Sequence, residues 1–325
     1  MRLFRITLFL FLATLFSACI GEWHNKYCPT DRNVVVEFAY VYNGNDVFNE
    51  QVESVDLFVF DSNNLLVHRE TINAAQLNAF AGTDLSHLAP GTYRIVAWGN
   101  VSPLRNTFGG ANVGDNISDA HIGRVGVTRN TESQSGNSCR LHFAPGLAQN
   151  QFTITVPTSG DLTATLPFAR SYIGIEVFVV GFAAYTNQTE PPIIEINGAA
   201  SHFCFNRNPE GNITLRETTV IQTQYVERPA VAMFRTKLFD NNTGFAKELH
   251  VRSGQAGNAI HYTINDVRLR QLVAQFMASN NITSLKADAT PQRVIPITIS
   301  FEDGENVSVT VDVKDFELVE IPPMW

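Results

Sequence analysis

The residue with the clearest chemistry in this chain is Cys19. Arg2 and Arg5 precede an apolar run from Ile6 to Phe16, and Ser17-Ala18-Cys19 follows at once. A basic start, a short apolar stretch and small residues before a cut are the three parts of a secretory signal. A cysteine directly after the cut can become the new N-terminus and carry acyl chains. The apolar run is shorter than the roughly 20 residues a spanning helix needs. Residues 1–18 therefore read as a lipoprotein signal peptide, and Cys19 as its lipidated product. Phe16 stands three places before Cys19, where leucine is usual, with Leu15 one place earlier. Each buried acyl methylene adds about 0.8 kcal/mol, so two or more chains hold a protein stably on a membrane.

The other reactive side chains do not group. The histidines are His24, His68, His87, His121, His142, His202, His250 and His261. His142 lies near Cys139 and His202 near Cys204, but neither has a second pair to complete a zinc site. HExxH, GxSxG, P-loop and GxGxxG patterns are missing, so the sequence gives no reason to expect an enzyme, a cofactor or a metal. If Cys19 is acylated, Cys28, Cys139 and Cys204 remain. They form either one disulfide with a spare thiol or three buried thiols. Tyr93 and Trp98 offer rings that could stack on a sugar, although a strand aromatic more often belongs to the core. Asp61, Asp303 and Glu305 read as turn residues, because the spacing of a calcium loop is missing.

These residues must be positioned by strands. The 325-residue chain is 44% hydrophobic and 17% charged, with 23 phenylalanines. It can bury a core and is not a disordered chain. The net charge of −8, without basic clusters, excludes nucleic acid as a partner and electrostatic adhesion to anionic lipid. Ile20 to Arg32 reads as a tether. Val34 to Tyr40 and Val55 to Phe60 read as strands, the second closed by the turn Asp61-Ser62-Asn63-Asn64, with Leu65 to Thr71 as its hairpin partner. Asn73 to Phe80 reads as a short helix. Thr92 to Trp98, Phe152 to Val156 and Leu162 to Leu166 are further strands. Residues 102–138, rich in Gly, Asn and Ser, read as a long loop.

A second series opens near Pro167. Ile173, Ile175, Val177 and Val179 recur at period two, and Thr219 to Tyr225 is a weaker strand. Asn265 or Asp266 caps a helix presenting Leu269, Leu272, Val273 and Phe276. Ile295 to Phe301 and Val307 to Val313 form a half-buried hairpin around Asp303-Gly304. Phe316 to Ile321 adds a last strand. Many short strands without βαβ alternation predict an all-β chain of two tandem sandwiches, 19–166 with the tether and 167–325.

Val55-Asp56-Leu57-Phe58-Val59-Phe60-Asp61, followed by Leu88-Ala89-Pro90-Gly91-Thr92-Tyr93-Arg94-Ile95-Val96-Ala97-Trp98-Gly99-Asn100, resembles the signature of the fimbrillin-associated anchor subunits. These are lipoproteins of type V pili in anaerobic Gram-negative bacteria. Cys19, Cys28-Pro29, Asp303-Gly304 and Asp315-Phe316 also sit where that family has similar features. The resemblance implies two transthyretin-like β-sandwich domains. It implies a subunit held in the cell outer membrane by lipid on Cys19, carrying the base of a fimbrium and stopping its elongation. Fimbrial stalk subunits would join it by strand addition, in which backbone hydrogen bonds give affinity and alternate side chains give register. Pro322 and Pro323 cannot donate to a ladder, which suits a terminal subunit. In stalk relatives an N-terminal segment is cut after an arginine. Arg32 could serve as such a site, but the reading preferred is an intact first strand and an ordinary surface arginine, since a cut there would sever the lipid from the domain it anchors. The alternative reading from the residues is a surface lipoprotein module that binds glycan.

Overall fold

The computed structural model describes residues 32–104, 106–124, 134–135, 140–145, 151–186, 190–199, 202–205, 213–218, 220–221, 227, 229–237, 248–254, 259–285, 290, 293–302 and 306–311. Strands dominate, with four short or medium helices among the described residues.

The first half is a two-sheet sandwich. Its smaller sheet has the order Leu162–Pro167, Val34–Ala39, Gly82–Asp84, with Val34–Ala39 in the middle. Its larger sheet is built on Gly91–Gly99. Val55–Phe60 pairs with one side of that strand, and Leu66–Ile72 extends the sheet beyond it. Phe152–Val156 and His142–Ala144 share the other side, and Ala169–Arg170 pairs with His142–Ala144. Val34, Val36 and Phe38 from the smaller sheet meet Leu57, Val59, Ile95 and Ala97 from the larger, all buried. The period-two alternation of apolar residues produces this face, because successive side chains point to opposite sides of a strand.

Val55–Phe60 is buried at all six positions, so its second face is covered too. The cover comes from the segment read as a loop. Asn106–Gly109 and His121–Arg124 are strands, and they form a three-stranded sheet with His202–Cys204 from the second half. Their brevity and their glycines hide them from a periodicity reading. Histidine rings pack over Gly109 and Gly123: an added Cβ would lie 2.4 Å from the His121 ring and 2.8 Å from the His202 ring respectively. Between the layers lie Phe58, Phe60, Trp98, Phe143, Phe203 and Phe205. The return exchange also occurs, since Gln134–Ser135 pairs in parallel with Ile213–Thr218.

The second half is another sandwich. Tyr172–Val180 pairs in parallel with Val294–Phe301 and antiparallel with Ala230–Lys237. The facing sheet has Ile193–Ala199 between Ile213–Thr218 and Glu248–Arg252, with Ile260–Ile264 at its edge. Helix Asp266–Ser279 begins at Asn265, whose side chain accepts from the Arg268 N–H at 3.0 Å, and buries Leu269, Leu272, Val273, Phe276 and Met277. Val294–Phe301 and Val307–Thr310 form the expected hairpin. It is more than half buried, since Thr298 and Ser300 are enclosed as well. Of the weaker strand expected at Thr219 to Tyr225, Val220–Ile221 is a strand, and Phe316 to Ile321 lies outside the described residues.

Candidate functional site

Cys19, Cys28 and Cys139 lie outside the described residues, as do residues 20–31, expected above to form a tether. What is described is the start of the first strand. The Arg32 guanidinium donates to the carbonyl oxygens of Ser86 at 3.3 Å, of Leu88, and of Pro157 at 3.4 Å. One cation thus gathers two loops around the start of the first strand. Hydrogen bonds with a charged donor are roughly twice as strong as neutral ones.

The first strand is sealed along its length. The Val34 N–H donates to Ser86 Oγ at 2.9 Å, and the Leu85 N–H donates to the Val34 carbonyl at 2.8 Å. The Ser86 N–H donates in turn to Asp84 Oδ1 at 2.8 Å. The Ser86 side-chain and backbone bonds hold the Asp84 carboxyl below its usual range. Further along, the Phe38 N–H donates to the Ala81 carbonyl at 2.8 Å. The strand approaches Gly82 so closely that a Cβ there would sit 2.6 Å from the Val36 carbonyl oxygen. On the other flank Leu162 and Phe168 donate to the Asn33 and Ala39 carbonyls, both at 2.7 Å. Val34–Ala39, the first described strand, is therefore the central strand of its sheet.

The motif residues prove to be architectural. The Asp61 carboxylate accepts from the Asn63 and Leu65 N–H groups, shaping the turn that Asn64 completes at φ 61°. The Tyr93 hydroxyl donates to the Ala89 carbonyl at 2.9 Å. Trp98 is buried in the aromatic layer, 4.7 Å from the Phe143 ring and 5.1 Å from the Phe203 ring. Asn100, at φ 62°, accepts from the Glu53 N–H and donates to the carbonyls of Gln51 and Arg140. Trp98 offers no ring face to a sugar, being enclosed, and Tyr93 packs half-buried on the core.

Of the histidine–cysteine pairs, Cys139 lies outside the described residues. Cys204 is a buried free thiol, and the His202 ring stacks edge-on against His121 at 5.1 Å. His142 lies between the rings of Tyr40 and Tyr172. Its imidazole is pushed down to about 4, first by burial and then by the nearby charges of Arg170 and Arg140. Among the described residues no three His, Cys, Asp or Glu side chains converge as metal ligands. Among them, too, no helix is long and apolar enough to cross a membrane. Arg32 was singled out in the sequence only as a place to cut. Its role as a clasp, together with Asp84 and Ser86, depends on residues more than fifty positions away and has no local signal.

The family model of the fimbrillin-A associated anchor proteins Mfa1 and Mfa2 matches residues 25–322. The chain belongs to this family. Solved structures share its fold. The fimbrial anchor protein Mfa2 from Porphyromonas gingivalis aligns with a TM-score of 0.62 and 13% identity, covering 86% of this chain and 95% of that one. A protein from Bacteroides ovatus, provisionally classed as an adhesin, gives a TM-score of 0.66 at 16% identity over 86% and 92% of the two chains. A Bacteroides thetaiotaomicron structure, provisionally classed among polysaccharide-binding proteins, gives 0.66 at 16% identity over 88% and 99%. No curated protein matches the sequence. The resemblance seen in the VFD and PGTY…AWGN residues thus extends over nearly the whole chain, and membership in the anchor family makes this a fimbria-associated protein of the cell surface.

Proposed function

We propose that this anchor-family protein is the lipid-attached base of a fimbrium. Acyl chains on Cys19 hold it in the outer membrane, stalk subunits join it by strand addition, and the attached base limits filament length. The observation that carries the reading is the clasped first strand. Load from a lipid on Cys19 would enter at Arg32 and pass directly into the central strand Val34–Ala39, whose ladder neighbours lie on both sides. The same geometry weighs against processing after Arg32, because that guanidinium is tied to three carbonyls and the strand behind it is core. No catalytic step is assigned.

The test is Cys19→Ala in the native host. Palmitate labelling of the protein should vanish, and fimbriae should be shed into the medium or fail to stay attached. N-terminal sequencing of protein from purified fimbriae should begin at a blocked Cys19. A chain that begins at Asn33, or attached fimbriae of normal number and length in the variant, would overturn the reading.

A further inference from the structure

The sides of the first sandwich are closed unequally. On one side, Leu66–Ile72 and Gly82–Asp84 are joined across the sheets by side chains: Thr83 donates to Glu70, and His87 contacts His68 at 3.3 Å. On the opposite side the two sheets end in Phe152–Val156 and Leu162–Pro167, which are linked by the turn between them. Leu162, Ala164 and Phe152 are partly buried and pack on the shared core.

The Leu162–Pro167 ladder shows which backbone groups are spare. Leu162 and Phe168 donate inward to the first strand. In a parallel ladder alternate residues bond to the same neighbour, so Ala164 and Leu166 also face inward, and the N–H and C=O groups of Thr163 and Thr165 face out. Among the described residues these outward groups have no partner. Pro167 falls on the outward set, so the usable edge ends there.

Natural sheets guard such edges with charge, irregular register or short length. Phe152–Val156, on the same side of the sandwich, is likewise uncharged and in unbroken register but has five residues, whereas the edges elsewhere are guarded. Leu66–Ile72 carries His68, Arg69 and Glu70 and has a shifted register. Ile260–Ile264 has a register irregularity. Val307–Thr310 is only four residues long. Leu162–Pro167, reading Leu-Thr-Ala-Thr-Leu-Pro, has no charge and an unbroken six-residue register.

We infer that the Leu162–Leu166 edge is the docking surface for the fimbrial stalk, and that its occupant is an uncharged extended strand of a stalk subunit. Only an extended backbone supplies donors and acceptors at the spacing that Thr163 and Thr165 present, and alternate apolar side chains on that strand would cover Leu162 and Ala164. The inference rests on the anchor reading above and names the surface it uses. The first strand stays in its slot, so the docking strand is an addition to the sheet and replaces nothing.

The experiment measures binding of purified mature protein to the fimbrillin of the same strain. Two variants block the edge: the double variant Thr163→Lys with Thr165→Lys places charge along it, and Thr165→Pro removes an outward N–H that the internal ladder does not use. Thr263→Lys, on the edge of the second sandwich, is the control. Both blocking variants should bind more than tenfold more weakly with thermal unfolding retained, and the control should stay within twofold of wild type. Undiminished binding by a folded blocking variant, or an equal loss in the control, would overturn the assignment while leaving the anchor reading intact. Wild-type protein that binds no fimbrillin would instead refute the anchor reading itself. A wild-type dimer that the double variant dissociates would show that the occupant is a second copy, which also overturns the assignment.

Discussion

Among single residues, His142 carries the clearest dependence on solution conditions. It is enclosed by Tyr40 and Tyr172, beside the buried Arg170, and its imidazole titrates at about 4 in place of the ordinary 6.5. The unfolded chain therefore binds a proton that the folded chain refuses anywhere between those values. Stability from this group is fully present above pH 6.5 and is lost as pH falls towards 4. At about 1.36 kcal/mol per unit, the loss across that window is roughly 3 kcal/mol. Urea unfolding at pH 7 and at pH 4.5 should show a steep decline for the wild type and a shallower one for His142→Phe, which keeps the ring contacts and cannot charge. Equal slopes would mean that other groups dominate acid sensitivity. The family motif is instructive at this scale too. Asp61, Tyr93, Trp98 and Asn100 were legible as a pattern before they were legible as parts. Each fixes a turn, a loop or the aromatic layer.

At the scale of elements, what could be read in the sequence was what is local. The hairpin of Val55–Phe60 with Leu66–Ile72, the capped helices at Asn73 and Asn265, and the final Val294–Phe301 pairing all lie within short stretches whose periodicity and turn residues agree. The strands inside 102–138 were missed for the opposite reason. Asn106–Gly109 and His121–Arg124 are four residues each, and their outer partner is His202–Cys204, some eighty positions further on. No local signal records a partner at that distance. The same remoteness hid the clasp at Arg32. The covering strand has a measurable weight. Phe205 meets Phe58 at 4.8 Å and also contacts Phe60, Trp98 and Phe108. Phe205→Ala should lower the unfolding free energy by about 3–5 kcal/mol, the usual cost of emptying a buried aromatic site. A loss below about 1 kcal/mol in a denaturant titration would show that the layer is loosely packed.

For the whole molecule, the exchange between halves decides how it behaves. His202–Cys204 and Phe205 complete the outer layer of the first sandwich, while Gln134–Ser135 adds a strand to the second. Ala169–Arg170 also pairs with His142–Ala144 in the first sandwich. A fragment of residues 19–171 should therefore expose the aromatic face of Phe58, Phe60, Trp98 and Phe143, bind a hydrophobic dye and aggregate, whereas residues 19–325 should unfold in one transition. A soluble, monomeric fragment with its own sharp transition would make the halves independent. On the proposed reading the exchange would also set an order of events during export. A polypeptide leaving the inner membrane N-terminus first would present Cys19 for acylation early, yet its first half would stay unfinished until residue 205 had crossed. For that interval an oily sheet face would stand open in the periplasm on a chain already fastened to a bilayer. Maturation of this protein would then be paced by the arrival of a late segment, and periplasmic holding factors would act on it before that segment arrives.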